Sequence, residues 1–227
     1  MNTSTDNEPH DWDAWVRQYG RKVLATQEAG DDDGVYFQTG RDLVAGLLHF
    51  ARPAKFERAH EIGCGDAHIT LALTELFTKV SSNDVSSSSV EQSATRLEGR
   101  DADLWVGGSA SMSKLANDEV DLIISVCVMQ HVDNAAEQRG YVVESCRAIA
   151  KGGAAMIQFR QAGLVPKFRD AAVDLARVVL RRPAFTRMWR GNRATEADIL
   201  SWTQGRGVTC TFSTRRWHTW AIITKPL

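Results

Sequence analysis

A chain of 227 residues has room for one α/β domain with a modest appendage, and 43% hydrophobic and 24% charged residues are ordinary for a globular protein. No apolar run approaches the ~20 residues that cross a bilayer, and the polar, acidic stretch Met1 to Asp13 lacks the parts of a secretory signal, so the expectation is a cytoplasmic protein with no membrane span. The net charge of −1 hides an asymmetry, because residues 1–150 carry 13 Lys/Arg against 24 Asp/Glu while residues 151–227 carry 14 against 4.

Residues 1–10 read as disordered. From Asp11 onward Trp12, Trp15, Val16 and Tyr19 recur at three and four residues, which predicts an amphipathic helix. Gly30 to Gly34, with three aspartates between, reads as a loop. Residues 41–50 form a second helix, stopped before Pro53. Arg58 to Cys64 is a short strand, Ala67 to Phe77 a helix, and residues 79–85 an unusually polar second strand. Ser89 to Leu97 is helical and Asp103 to Gly107 is the third strand. Val120 to Val126, the most apolar run, suits a parallel strand buried on both faces.

Ala136 to Ala150 reads as a helix, with Lys151-Gly152-Gly153 as its stop. Ala154 to Phe159 is the fifth strand. Pro166 to Arg182 carries a helical stripe of Phe168, Ala171, Ala172, Leu175, Val178 and Val179, opened by Pro166 and ended by Pro183. Glu196 to Gln204 is a short helix with Thr195 as its N-cap. Val208 to Ser213 and Trp217 to Thr224 are strands of a hairpin around Thr214-Arg215-Arg216. Alternating strands and helices predict an α/β fold, a parallel sheet with helices on both faces, and the hairpin predicts an antiparallel last strand. The expected organisation is one domain over residues 11–227, with N-terminal helices at 11–50 and a helical insertion at 161–205 before the sixth strand.

Chemistry concentrates at Glu61-Ile62-Gly63-Cys64-Gly65. A strand ends in a carboxylate, two glycines let the backbone turn tightly and approach a ligand, and a helix starts at once. His68 stands where the third glycine of a dinucleotide fingerprint would be, and no GK[ST] follows, so neither that fingerprint nor a P-loop is present. Glu61 suits a ligand with a positive amino group. Asp84 closes the second strand 19 residues after Gly65, where an acidic side chain takes two ribose hydroxyls. Cysteines 64, 127, 146 and 210 show no CxxC or histidine spacing, so they read as reduced thiols, and no metal site is expected.

These segments resemble the class I S-adenosylmethionine-dependent methyltransferases over residues 12 to 160, most strongly 58–153. Glu61 to Gly65 matches the first motif, and Val80 to Ser86 with Asp84 resembles the second. Gly107-Gly108-Ser109-Ala110 is similar to the segment beside adenine. Val120 to Val126 resembles the fourth motif, with Gln130-His131-Val132 as its tail, and Cys146 to Gly153 resembles the helix and glycine pair before the fifth strand. The resemblance implies a Rossmann-like, mostly parallel sheet of seven strands with the last one antiparallel. It also implies S-adenosyl-L-methionine as cofactor and S-adenosyl-L-homocysteine as product. The cofactor contacts implied are Glu61, Gly63, Cys64, Gly65, Asp84, Val85, Ser109, Ala110, Ser125 and Val126. Ser109 departs from the aspartate of many relatives, His68 from a frequent arginine, and Lys151 from the commoner proline of Pro-Gly-Gly.

Methyl transfer needs an acceptor held in line with the donor, and a hydroxyl acceptor also needs a base. His131, just past the fourth strand, is the candidate base, with packing in a loop as the alternative. His218 reads as a packed strand residue, while His10, His49 and His60 look incidental. Trp12, Trp15 and Tyr19 are expected in core contact with partial lid duty, and Arg41 is a candidate for the cofactor carboxylate. Eight Lys/Arg between Lys167 and Arg193 suit an anionic or lipid-linked small-molecule acceptor, a membrane surface, or pairing with the acidic body. No nucleic-acid partner is expected, and a monomer or homodimer is. The expected activity is O-methylation of a small-molecule hydroxyl on a sugar, phenol or other natural product. The alternatives are N-methylation and a non-catalytic S-adenosylmethionine-binding protein.

Overall fold

Parallel strands buried on both faces need continuous apolar runs. Val120–Ser125 is such a run, and all six of its residues are buried. It is β4 of a seven-stranded sheet in a computed structural model that describes residues 11–19, 32–161, 191–215 and 218–227. In chain order the other strands are β1 Arg58–Ile62, β2 Lys79–Asp84, β3 Ala102–Val106, β5 Ile149–Arg160, β6 Thr209–Arg215 and β7 His218–Thr224. The helices are α1 Trp12–Tyr19, α2 Asp33–Ala51, α3 His68–Thr74, α4 Ser87–Arg96, α5 Ala135–Ala148 and α6 Glu196–Thr203. A 3-10 segment, Ser109–Lys114, follows β3.

Strand order is β3-β2-β1-β4-β5-β7-β6. β1 to β5 are mutually parallel, and β7 runs antiparallel to both of its neighbours. This is the Rossmann-like sheet expected from the sequence. The order reverses between β1 and β4, the point at which α/β sheets open a crevice. One core face packs Val44, Leu47 and Ala51 of α2 and Ile69, Ala72 and Leu73 of α3 against the sheet. The other packs Met112, Tyr141, Val142, Cys146 and Ile199 from the 3-10 segment, α5 and α6. Asp121, buried in β4, accepts the amides of Glu57 and Arg58, both at 2.9 Å, and so sets where β1 begins.

Several elements differ from the sequence reading. α2 starts at Asp33, not near residue 41, because Asp32 caps it by accepting the Val35 amide at 3.1 Å. Gly34 therefore lies in the helix, and a Cβ at Gly40 would meet the His68 carbonyl at 2.3 Å, so glycine permits the α2–α3 approach. Gly152-Gly153 does not cap α5, which ends at Ala148. It forms an irregularity inside β5, with Gly152 at φ +75°, between the pairs Val120–Ile149 and Leu122–Ala154. The final hairpin pairs as far as Thr214 with Thr219 and Arg215 with His218, so Thr214 and Arg215 belong to β6 and not to the turn. The disordered reading of 1–10, the helix over Pro166 to Arg182 and its basic residues up to Arg190, the start of the Gly30 loop, and Trp217 lie outside the described residues. Among the described residues no helix is long and apolar enough to cross a membrane.

Candidate functional site

The carboxyl ends of β1, β2 and β4 lie side by side, with Ile62 paired to both Asn83 and Ser125. Gly63 and Cys64 donate their amides to the Asn83 carbonyl at 2.7 and 3.2 Å, which folds the β1–α3 turn over the end of β2. Gly63 has φ +85° and Gly65 φ +53°, values that glycine adopts without a steric penalty. A Cβ at Gly63 would stand 2.3 Å from Val128 Cγ2. The turn and the β4–α5 loop therefore touch across the crevice.

Asp84 ends β2 beneath this turn. Its Oδ2 accepts the Gly65 amide at 3.0 Å and its Oδ1 the Ser86 amide at 2.9 Å. Burial raises its carboxyl above the ordinary range, against the pull of those amides. Glu61 is buried one strand over and accepts the Thr70 hydroxyl. Burial pushes its carboxyl well up, with Asp84 and Asp66 adding repulsion. Cys64 is buried, and its thiol is pushed far above normal by the same loss of solvent. Val85 is 52% exposed on the rim.

Ser109 and Ala110 begin the 3-10 segment across from Asp84. Ser109 donates its amide to Glu137 Oε1 at 2.6 Å, and Ala110 is exposed. Ser125 ends β4 fully buried, and its hydroxyl has no partner among the described residues. Val126 follows, half-buried. His131 lies beyond it in the same loop, donating its amide to the Val128 carbonyl at 2.9 Å. Trp12 of α1 meets the His131 ring edge-on with centroids 5.0 Å apart.

The structure thus brings the ten expected contact residues and His131 to one sheet edge, but it reassigns Arg41. Arg41 forms a two-pronged ion pair with Glu75, the C-cap of α3, at 2.7 Å on each arm, so its guanidinium is engaged there. His68 hydrogen-bonds Tyr36 O at 2.9 Å and Thr39 Oγ1 at 3.0 Å, so it fastens α2 to α3. His60 is not incidental. It is fully buried, bonded to Ser81 and Asn83 and stacked on Trp105.

A family model described as Methyltransferase domain matches residues 60–157, the span that contains the crevice. Residues 60–157 are thus similar to a methyltransferase domain, as the motifs implied. Among curated proteins none matches it in sequence. Solved structures match in shape. A TehB-like SAM-dependent methyltransferase from Corynebacterium glutamicum is 17% identical, with 93% of this chain and 98% of that one covered and a TM-score of 0.60. Magnesium protoporphyrin IX methyltransferase from Synechocystis, with bound SAH, is 14% identical over 94% and 96% of the two chains, TM-score 0.62. An S-adenosylmethionine-dependent methyltransferase from Clostridium acetobutylicum is 11% identical over 96% and 100%, TM-score 0.61. At these identities the likeness is one of fold.

The crevice also uses residues that sequence reading missed. Asp13 of α1 accepts the Ser86 hydroxyl at 2.6 Å, the Ser88 amide at 2.9 Å and the Ser87 hydroxyl at 3.0 Å. α1 therefore spans the crevice, fastened by Asp13 beside Asp84 and resting by Trp12 on His131. Gln138 of α5, fully buried, donates to the carbonyls of Met129, Val132 and Asn192, which ties the β4–α5 loop to the segment after residue 190. The residues present fit the family's cofactor. Asp84 sets a carboxylate at the end of β2 beside the Gly63–Gly65 turn, and Ser125 offers a buried hydroxyl.

Proposed function

We propose that the protein methylates a hydroxyl of a small molecule, with His131 as the base. What carries this reading is the position of His131 on the β4–α5 loop, under Trp12, at the edge where the Gly63–Gly65 turn and Asp84 converge. When bound, S-adenosylmethionine supplies a methyl group on a sulfonium, open to in-line displacement. Gly63, Cys64 and Gly65 would hold its amino-acid part by backbone groups, and Glu61 would face its ammonium. Asp84 would take both ribose hydroxyls. Val85, Ser109 and Ala110 would border the adenine, and Ser125 and Val126 the methionine side. The acceptor hydroxyl would lose its proton to His131 as the oxygen–carbon bond forms and the methyl's bond to sulfur breaks, with S-adenosylhomocysteine as the leaving group, and α1 would keep water out of the crevice.

The eight basic residues between Lys167 and Arg193 favour an anionic or lipid-linked acceptor on the insertion side of a single domain spanning 11–227. Four free cysteines fit the reducing cytoplasm. The test is labelled-methyl release to a panel of phenols, sugars and amines. His131→Ala should lower turnover on hydroxyl acceptors by about 10²-fold or more and leave S-adenosylhomocysteine binding in place. Unchanged turnover removes His131 as base, and turnover on amines alone makes the protein an N-methyltransferase.

A further inference from the structure

Ser109 opens the 3-10 segment, but its hydroxyl is spent on packing. The residue is 6% exposed, and a Cβ at Gly140 of α5 would collide with Ser109 Oγ. From the first turn of the same helix a carboxylate reaches the other way. Glu137 Oε1 accepts the Ser109 amide at 2.6 Å, and a Cβ at Gly108 would stand 2.5 Å from that oxygen, so glycine makes room for it. Glu137 is half-buried, and its Oε2 has no partner among the described residues. The next amide along the chain, that of exposed Ala110, donates to none of them either.

A carboxylate only accepts and an amide N–H only donates. Glu137 and Ala110 therefore set an acceptor beside a donor, one amide apart on a single turn. They lie one strand out from Asp84, which pairs in register with Val106 and whose carbonyl accepts the Gly107 amide at 2.8 Å. Val85 and Val106, 52% and 51% exposed, add apolar surface at the same strand ends. A base carried by a ribose on Asp84 would reach this place. Adenine offers N6–H beside the N1 lone pair, the complement of that acceptor and donor. A 6-oxo purine offers O6 beside N1–H, which opposes them at both points.

We propose that Glu137 is a specificity-determining residue for the base, accepting from adenine N6 while the Ala110 amide donates to N1. The proposal rests on reading the crevice as an S-adenosylmethionine site. Selection against the 6-oxo base comes from facing two acceptors and two donors, which weakens the wrong ligand as well as favouring the right one.

The test is calorimetry of the full chain with S-adenosylhomocysteine and S-inosylhomocysteine, which differ only in that edge of the purine. Each opposed contact costs about tenfold or more in affinity, so the native protein should prefer the adenosyl compound by about a hundredfold. Glu137→Gln keeps an oxygen for the Ser109 amide and turns a donor toward the base, so the ratio of the two affinities should fall by about tenfold or more. Loss of support for the loop would weaken both compounds together and leave the ratio unchanged, so the ratio isolates base reading. Glu137→Ala should lower the ratio as well and serves if the Gln variant does not fold. Equal affinities in the native protein overturn the proposal, as does an unchanged ratio in either folded variant. Binding of neither compound to the native protein overturns the cofactor reading itself, a failure distinct from binding both alike.

Discussion

A carboxylate has four lone-pair directions, and Asp84 spends two of them on the Gly65 and Ser86 amides. On the proposed reading the remaining directions face the ribose. Asp84→Ala should therefore weaken S-adenosylhomocysteine binding by more than about tenfold, roughly 1.4 kcal/mol, as read by calorimetry. At Glu61 burial favours the protonated form, whereas an incoming ammonium favours the ionised one. Binding should then release a proton, and affinity should rise with pH. Calorimetry in buffers of different ionisation heat would show the release, and Glu61→Gln should abolish it. His60 is a base held near pKa 4 by burial, below its ordinary 6.5. The unfolded chain takes up the proton first, so the stability is complete above pH 6.5 and is lost as pH falls toward 4. The loss is about 3 kcal/mol, and His60→Gln should flatten the acid unfolding curve over that window. The strand end at Asp84 and the turn at Gly63 were legible because both follow from neighbours in sequence. Asp13 and Glu137 were not, because their partners Ser86 and Ser109 lie 73 and 28 residues away.

α1 shows the same division among elements. Its helical period was readable from Trp12, Trp15 and Val16, but where it docks depends on a carboxylate meeting the N-terminus of α4. There Asp13 satisfies the Ser88 amide and two serine hydroxyls, and the Ser86 hydroxyl, followed by the Ser88 amide, lowers its carboxyl to about 2. A depressed acid contributes above its ordinary value of 3.8 and stops contributing as pH falls through about 2, so the fastening holds throughout the neutral range. Removing a side-chain acceptor from a helix N-terminus costs about 1 kcal/mol. Asp13→Ala should therefore speed amide exchange across residues 12–19 about fivefold, with exchange in β4 unchanged. α2 was read too short for a related reason. Glycines and aspartates signal loops, yet here Asp32 is a cap and Gly40 admits a neighbouring helix, and neither role is visible without α3 in place.

For the whole molecule the sheet was the most legible feature, since strand–helix alternation and the fully buried β4 leave few topologies open. The irregularity in β5 was not, because two glycines after a helix mean a stop unless the next strand is known to begin earlier. A ligand that binds only the folded state stabilises it by about 2.7 kcal/mol at a hundred times its Kd. For a chain of this size that raises the melting temperature by about 5–10 °C. Scanning calorimetry should show the whole shift with S-adenosylhomocysteine in His131→Ala and at most about half of it in Asp84→Ala. At the far side of the crevice Arg193 donates to the Gln161 carbonyl at 3.0 Å, while Gly191 and Asn192 donate their amides to Gln130 and Val132 at 2.8 and 2.7 Å. Gln161 and Gly191 are thereby anchored to described neighbours on either side of residues 162–190. Grafts cut at these two points keep both anchors, and so offer a way to vary the intervening sequence while the sheet and its crevice stay as they are.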